Sequence, residues 1–138
     1  MLRSGTRAVQ FGDWQGHLAV FKYVERDKTF EKEFEAYEKL KGCDFTPKLF
    51  HVDRSQKLFV LENVGVDVQT KYKPCERKKF LPLIKEMDAR LSEIYGIHHN
   101  DIHWKNVTQN SEGSLFIIDF GRWTPANKPR VFRKHEVL

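Results

Sequence analysis

Alternating hydrophobic and polar positions predict two β-hairpins in the first half of the chain. Such alternation places apolar side chains on one face of a strand and polar side chains on the other. Turn-forming residues separate the strands within each pair, at 12–16 and at 53–56, which is typical of hairpins. The four predicted strands are residues 7–11, 17–24, 48–52 and 57–62.

Apolar side chains spaced three to four positions apart predict two helices. The first covers residues 27–41, and Gly42 stands where a C-terminal cap belongs. The second runs from Phe80 to Ile94 and stops at Gly96. A proline at position 82 is expected in the first turn of this helix or at a kink, because its ring nitrogen cannot donate a hydrogen bond.

The order of the elements predicts an α+β fold. Short strands at 105–108 and 115–118 follow the second helix, whereas the polar stretch after Gly65 is predicted to be a linker. A sheet-rich unit therefore precedes a helical one. The two predicted units are residues 1–64 and residues 65–138.

Composition and charge favour a globular domain with an anionic partner. Of 138 residues, 40% are hydrophobic and 31% are charged, and the formal net charge is +5. Residues 71–85 and 122–134 hold much of the basic excess. Nucleotide phosphates, RNA or an acidic protein would fit this charge, and so would a plain solvated basic face. No aromatic platform typical of RNA-recognition modules is visible, which argues against nucleic acid.

The sequence predicts an intracellular, cytoplasmic protein with no membrane span. The longest apolar runs, such as residues 58–61, are far shorter than the roughly 20 residues that a span needs. The first seven residues contain no apolar segment of a secretory signal. Cys43 and Cys75 lie far apart without C-x-x-C spacing, so free thiols are expected.

Two linked motifs in the second half carry the strongest chemical signal. His99, Asp101 and Asn106 form an H-x-D-x-x-x-x-N pattern, and Asp119-Phe120-Gly121 follows the apolar strand behind it. Phosphoryl transfer from ATP needs an acid that orients the accepting hydroxyl, together with amide and carboxylate ligands for magnesium. Asp101 suits the first role, and Asn106 and Asp119 suit the second.

These motifs resemble the catalytic and metal-binding loops of the protein-kinase-like superfamily. In the first half, Ala19-Val20-Phe21-Lys22 is similar to the V-A-I-K strand of kinases. The resemblance implies that Lys22 contacts the α- and β-phosphates. It also implies that Glu33 pairs with Lys22 and holds its ammonium group at the phosphates. Glu35 and Glu38 are competing candidates, and Glu33 is preferred because its position matches the family's helix.

The resemblance extends to the segment that would hold adenine. Residues 58–65 are similar to the fifth strand and hinge of kinases. This implies that the Glu62 carbonyl and the Val64 backbone bond the adenine. Leu61 would then be the gatekeeper, and Asp67 would reach the ribose.

The catalytic loop is most similar to one branch of the family. His103 stands where typical protein kinases carry a lysine. The loop therefore resembles the aminoglycoside- and choline-kinase branch or other atypical kinases. The implied cofactors are ATP and Mg²⁺, and the implied acceptor is a hydroxyl on a protein or a small molecule.

Two departures from the family predict a reduced fold. Only Ser4-Gly5-Thr6 stands where the glycine-rich phosphate loop would lie, and only residues 122–138 follow Gly121, without an A-P-E motif. The expected architecture is a two-lobed kinase-like fold, in which an antiparallel sheet with one helix precedes a truncated helical lobe. Trp104 and Trp123 are then either plugs beside the site or exposed surface. Exposed apolar surface would favour self-association or a protein partner.

Two alternatives to an active phosphotransferase remain open at the level of sequence. A kinase-like chain that is catalytically weak or inactive could act as a binding module, which docks on a partner kinase and regulates it. Alternatively, His98, His99 and His103 could bind zinc, since imidazole is a common zinc ligand. The remaining histidines are not predicted to form a second cluster; they are His17, His51 and His135.

Overall fold

The computed structural model describes residues 6–138 and begins with a four-stranded antiparallel sheet. Its strands are β1 (Thr6–Trp14), β2 (His17–Val24), β3 (Leu49–Asp53) and β4 (Leu58–Glu62). They lie in the order β1-β2-β4-β3, so both predicted hairpins form and meet along β2 and β4. Within this central pair Val20 lies opposite Leu61, and Lys22 lies opposite Phe59.

A two-residue turn joins β1 to β2. Gln15 and Gly16 have positive φ angles of 49° and 86°, and two such residues form a turn that matches the twist of paired strands. The Asp13 carboxylate accepts a hydrogen bond from the Gly16 N–H at 3.0 Å. Strand β1 therefore extends further toward the turn than the predicted strand 7–11. Of the expected remnant of a phosphate loop, residues 4 and 5 lie outside the described residues.

Helix α1 (Asp27–Lys39) packs on the sheet, as its apolar spacing predicted. Phe30, Ala36 and Tyr37 are buried, and Phe30 stacks on Phe59 of β4 with ring centroids 4.5 Å apart. Burial of this apolar stripe fixes the orientation of α1 relative to the sheet. The same contact therefore fixes where Glu33, also on α1, points.

The second half is built on one long helix and several short elements. These are β5 (Val66–Asp67), α2 (Val68–Lys71), α3 (Pro74–Arg77), α4 (Leu81–Tyr95), β6 (Ile97–His98), β7 (Val107–Gln109), β8 (Leu115–Ile117) and β9 (Thr124–Pro125). Two small sheets form, β5-β7-β8 and β6-β9. As predicted, α4 has its proline in the first turn and ends at Gly96, whose φ is 70°.

The polar segment after β4 differs from the predicted linker. It folds into β5 and two short helices, and Asp67 caps the first of these by accepting hydrogen bonds from the Thr70 N–H at 2.8 Å and hydroxyl at 2.9 Å. Elements this short have no hydrophobic period, so the pattern could not reveal them. The strand predicted at 105–108 begins only at Val107, because residues 104–106 form a 3₁₀ turn.

Gly65 allows the backbone of the two halves to approach closely. Its φ is +106°, and a Cβ atom at this position would lie 2.0 Å from the Gln109 carbonyl oxygen. No side chain fits at that distance. The start of β5 can therefore lie against the end of β7 only because residue 65 has no side chain.

One continuous cluster of buried apolar side chains runs through both halves of the described chain. It includes Phe30 and Phe59 from the first half and Ile84 from the second. Because the halves share this core, the chain can hold side chains from both in fixed relative positions. The division into units 1–64 and 65–138 stays a prediction.

Within residues 6–138, no helix is both long and apolar enough to cross a membrane. Cys43 is buried and Cys75 is exposed, and both are free thiols. The unpaired state of the cysteines matches the prediction from their separation in the sequence.

Candidate active site

A cleft of about 890 Å³ is lined by residues from both halves of the chain. Its volume falls within the range of about 300–1,000 Å³ that is typical of small-molecule sites. All eight residues that the sequence singled out for catalysis, nucleotide binding or metal binding line this cleft. They are Lys22, Glu33, Glu62, Val64, Asp67, Asp101, Asn106 and Asp119.

Lys22 forms a buried ion pair at the centre of the cleft. Its Nζ lies 2.7 Å from Glu33 Oε2 and 3.4 Å from Asp119 Oδ1. The Lys22 side chain is 9% exposed and that of Glu33 is 1% exposed. Burial lowers the pKa of Lys22, but the carboxylates of Asp119 and Glu33 outweigh it and raise this pKa above its ordinary value. Lys22 is therefore a fixed cation inside the cleft.

The competing glutamates of α1 do not take part in this pair. Glu33 is buried, whereas Glu35 and Glu38 are both exposed, and Glu38 pairs with Lys41 at 3.3 Å. The structure thus places Glu33, the preferred candidate, beside Lys22.

Tyr37 adds a hydrogen bond to the ion pair that the sequence did not suggest. One helical turn after Glu33, its hydroxyl donates to Glu33 Oε2 at 2.7 Å. The same carboxylate oxygen therefore receives both the Lys22 ammonium and a neutral hydroxyl. Burial, followed by the charge of Glu33, raises the pKa of Tyr37 well above its ordinary value. Tyr37 consequently stays protonated and keeps donating.

Four ring side chains connect the ion pair to the loop that carries Asp101. Tyr37 meets Phe59 of β4 at 5.2 Å and Phe120 at 6.3 Å between ring centroids. Phe120 in turn meets His99 edge to face at 4.8 Å, in the geometry that aromatic pairs prefer. Phe120 and His99 are completely buried. Packing of these rings therefore links α1 to residues 99–101.

His99 supports the backbone of the loop that carries Asp101. Its Nε2 donates to the Ile118 carbonyl at 2.9 Å, and its Nδ1 accepts the Asp101 N–H at 3.1 Å. Burial lowers the pKa of His99, which keeps the ring neutral with one donor and one acceptor. His99 therefore has a structural role in the loop.

Asn106 and Asp119 place two oxygen-bearing side chains in the cleft beside Asp101. The Asn106 side-chain nitrogen donates to the Asp101 backbone carbonyl at 2.9 Å, and the Asn106 backbone carbonyl accepts the Ile118 N–H at 2.9 Å. Asp119 has a φ of 65°, in the left-handed region that non-glycine residues seldom adopt. The Lys22 ammonium lowers the pKa of Asp119 below its ordinary value. These hard oxygen donors, one of them anionic, suit magnesium.

The predicted hinge forms the apolar end of the cleft. Leu61 and Val64 are buried there, and the Val64 carbonyl accepts a hydrogen bond from the Thr108 hydroxyl at 3.0 Å. Within residues 6–138 the Val64 N–H makes no hydrogen bond, so it is available to a ligand. Asp67 lines the cleft, although its carboxylate also caps α2.

The sequence predicted that His135 belongs to no second histidine cluster, and the structure places it beside His103 of the first one. Residues 130–138, here called the return segment, fold back onto the loop that carries Asp101. His135 Nε2 lies 2.9 Å from Asp101 Oδ1, and its ring is 5.2 Å from that of His103. Sequence spacing carried no signal for this contact, because the segment has no regular secondary structure.

The histidines do not form the zinc site considered from the sequence. His99 uses both ring nitrogens for backbone hydrogen bonds. Ligand atoms of Asp101, His103 and His135 lie within 4.8 Å of one another. This group differs from the set of histidines that the sequence suggested. Both ring nitrogens of His103 also lie near hydrogen-bond donors: its Nδ1 accepts the Lys105 N–H at 3.2 Å, and its Nε2 lies 3.3 Å from the Asn106 side-chain nitrogen.

Trp123 is a buried plug rather than exposed surface. It is 3% exposed, and its Nε1 donates to the Lys32 carbonyl at 2.7 Å. Trp104 is partly buried and packs against the core. The alternative of exposed surface is therefore wrong for Trp123, whereas a position beside the site stays a prediction for both tryptophans.

Comparison with known proteins bears on the fold. No protein-family model matches the sequence, and no curated protein matches it significantly. Among solved structures, the chain is similar to PK-1, a kinase of the Cydia pomonella granulovirus, with a TM-score of 0.70. The match covers 85% of this chain and 48% of the viral chain at 19% sequence identity, so the chain spans about half the length of that kinase. The prediction from the motifs is confirmed: the chain has an α+β, protein-kinase-like fold, in which an antiparallel sheet with one helix precedes a small helical part.

Proposed function

We propose that the chain is a phosphotransferase that uses ATP and Mg²⁺ to phosphorylate a hydroxyl on a protein or small molecule. The observation that carries this proposal is the convergence of Lys22, Glu33, Asp101, Asn106 and Asp119 on one cleft. They come from a strand, a helix and two loops, far apart in the sequence. Such a charged set is what phosphoryl transfer needs and what a plain core would exclude.

Lys22 is proposed to hold the α- and β-phosphates. Its ammonium faces the cleft and is kept charged by Glu33 and Asp119. Because Glu33 is buried and also held by Tyr37, the ammonium is confined to one position before nucleotide arrives. Confinement of this kind lowers the entropy lost on binding and on reaching the transition state.

Asp101 is proposed to orient the acceptor hydroxyl. Its side chain is 13% exposed and lines the cleft, so an acceptor can reach it. As the accepting oxygen attacks the γ-phosphorus, its proton moves to the Asp101 carboxylate and the bond to the β-phosphate oxygen breaks. The Arg122 Nε lies 3.8 Å from Asp101 Oδ2, so a positive charge stands beside this carboxylate.

Asn106 and Asp119 are proposed to hold magnesium. Their amide and carboxylate oxygens are of the type that Mg²⁺ prefers. When bound, the ion would neutralise charge on the phosphates. Adenine would lie at the apolar end, between the side chains of Val20 and Leu61 and the free N–H of Val64.

Thermal unfolding with ATP, with and without Mg²⁺, tests the nucleotide site. A ligand at 100 times its dissociation constant adds about 2.7 kcal/mol to the free energy of unfolding. We expect a magnesium-dependent shift that Asp119→Asn removes and Asp101→Asn retains. Asp44→Asn is the matched control, since this aspartate is 79% exposed and does not line the cleft. Absence of any shift at millimolar ATP would contradict the proposal.

Transfer is measured next with [γ-³²P]ATP, for autophosphorylation and for transfer to mixed peptide and amino-alcohol acceptors. Asp101→Asn should lose transfer while it keeps nucleotide binding. Equal transfer by the parent and by Asp101→Asn would show that Asp101 has no catalytic role.

A second candidate function is a catalytically weak binding module that docks on a partner kinase or on itself. Apolar side chains on the outer surface of the second half favour it: Phe132 is 74% exposed and Ile94 is 61% exposed. A binding module would regulate its partner equally well as parent or as Asp101→Asn. Substitution of Phe132 and Ile94 by serine should abolish such regulation.

A further inference from the structure

The return segment forms hydrogen bonds to both backbone polar groups of one residue in the loop that carries Asp101. The Ile102 carbonyl accepts the Val137 N–H at 2.9 Å, and the Ile102 N–H donates to Glu136 Oε2 at 2.9 Å. Ile102 directly follows Asp101. The loop position that carries the proposed catalytic carboxylate is therefore bonded to residues more than thirty positions later in the chain.

Glu136 anchors the return segment through a buried ion pair. Its side chain is 1% exposed, and its two oxygens accept hydrogen bonds from Arg130 at 3.3 and 3.0 Å. The Arg133 N–H donates to the same carboxylate at 3.0 Å. Arg130 also lies 3.6 Å from Asp88 of α4. A paired charge this well buried is costly to separate, so the segment is held firmly.

Asn100 provides a second attachment from the other side of Asp101. Its Oδ1 accepts the Val131 N–H at 3.1 Å, and its amide nitrogen donates to the Thr124 hydroxyl at 2.7 Å. Asn100 is completely buried and has a φ of 68°. The residues before and after Asp101 are thus both bonded to the return segment, which brings His135 to the carboxylate.

We infer that His135 is a positioning residue for Asp101. Its Nε2–H donates to Asp101 Oδ1 at 2.9 Å. His135 is not among the residues that line the cleft, and its side chain is 61% exposed, so it reaches Asp101 from outside the cleft. An ionised carboxylate can accept about four hydrogen bonds, and the side facing the cleft stays open to an acceptor hydroxyl.

The consequence for phosphoryl transfer rests on the proposed function. A carboxylate with one oxygen held by a hydrogen bond cannot rotate freely about its last side-chain bond, so the other oxygen stays oriented toward the cleft. Misplacement of a reacting group by about 1 Å can cost roughly a hundredfold in rate. Loss of one of several contacts to Asp101 should cost less, about tenfold in kcat. The KM for ATP should not change, because His135 does not contact the nucleotide cleft.

The first experiment detects the contact without relying on catalysis. Asp101→Ala, His135→Ala and the double variant form a double-mutant cycle, measured as equilibrium constants for unfolding in urea. For a partly exposed pair we expect a coupling of about two- to fivefold. Lys134→Ala replaces His135→Ala in the control cycle, because Lys134 is an exposed neighbour in the same segment, and its coupling to Asp101 should be absent. No coupling between His135 and Asp101 would overturn the inference, whether or not the chain transfers phosphate.

The second experiment separates positioning from a merely structural contact. His135→Gln keeps an N–H donor and should keep most of the kcat, whereas His135→Ala should lower kcat about tenfold at unchanged KM for ATP. Transfer by His135→Ala at the parental rate would overturn the inference, and transfer above that rate would overturn it and identify the contact between His135 and Asp101 as inhibitory. If the parent transfers no phosphate, the proposed function fails, and the coupling in the cycle alone then decides whether His135 holds Asp101.

Discussion

Replacement of Lys22 by methionine is the sharpest test of the buried ion pair. The substitution keeps the length of the side chain but removes its charge. Glu33 is then left as a carboxylate that is 1% exposed, and within residues 6–138 only the Tyr37 hydroxyl still bonds it. Removal of one partner of a buried pair costs about 3–5 kcal/mol, because the other charge stays buried and uncompensated.

The contacts of the pair place the expected cost at the lower end of this range. Tyr37 still donates to Glu33 in the variant, and the Asp119 side chain is 45% exposed, so water compensates part of its lost interaction. We therefore expect Lys22→Met to lower the free energy of unfolding by about 3 kcal/mol. In a domain of this size that loss lowers the melting temperature by roughly 10 °C.

The double variant Lys22→Met, Glu33→Met distinguishes a lost charge pair from lost packing. When both charges are replaced by apolar groups of similar volume, stability is typically unchanged or increased. The double variant should therefore unfold within about 1 kcal/mol of the parent, although neither variant should show the ATP-dependent thermal shift. Lys41→Met is the matched control, since Lys41 is 75% exposed in its pair with Glu38 and exposed pairs contribute little.

Urea titrations followed by tryptophan fluorescence measure all four proteins. The reasoning would be refuted if Lys22→Met unfolded within about 0.5 kcal/mol of the parent, a change typical of surface substitutions. It would also be refuted if the double variant were as unstable as the single one.

Three further predictions concern single contacts. Tyr37→Phe should lower the free energy of unfolding by about 1–2 kcal/mol, because the buried Glu33 carboxylate loses a hydrogen bond, and urea titration measures it. Gly65→Ala should lower the free energy of unfolding by more than about 3 kcal/mol or prevent folding, since the added Cβ would lie 2.0 Å from the Gln109 carbonyl oxygen. Gly16→Ala is the control: no other described atom would lie within 4 Å of the added Cβ, so only the positive φ should destabilise this variant. Burial raises the pKa of Glu136, but hydrogen bonds from Ile102, Arg133 and Arg130 outweigh it and lower this pKa below its ordinary 4.5. The ionised Glu136 therefore contributes stability above pH 4.5 that is lost as the pH falls through the lowered pKa, and Glu136→Gln should flatten the acid limb of a stability–pH curve.

The strands, the two long helices and the cleft residues could be predicted because each leaves a local trace in the sequence. Phe30 and Tyr37 recur at helical spacing, and β4 is a continuous apolar run. The cleft residues were found by a different route, the resemblance of two motifs to a known family. That route identified Glu33 as the partner of Lys22, whereas helical spacing alone could not have chosen among the glutamates of α1.

The contacts that the sequence did not reveal leave no hydrophobic period or family motif along the chain. Tyr37 looks like an ordinary core residue, and its hydroxyl gains meaning only from a carboxylate one turn earlier. His135 lies in a segment without periodicity, and its position depends on a buried Glu136 whose partners come from three places. Short elements such as β5 and α2 were also missed, because a few residues cannot show a hydrophobic period.

The energetics of the cleft favour chemistry over a purely structural role. A buried lysine–glutamate pair adds little net stability over apolar residues of the same size, because desolvation opposes the attraction between the charges. Here Lys22 is 9% exposed and forms ion pairs with two carboxylates, those of Glu33 and Asp119. These three side chains line a cleft and are not enclosed in a packed core. A module that only docked on a partner through its outer surface would gain nothing from this arrangement, and apolar residues would serve its fold equally well. A cation held at a fixed point beside an open cavity does serve a ligand that brings negative charge into it. If the Lys22→Met, Glu33→Met variant is as stable as the parent and no longer binds nucleotide, the pair exists for the ligand and not for the fold.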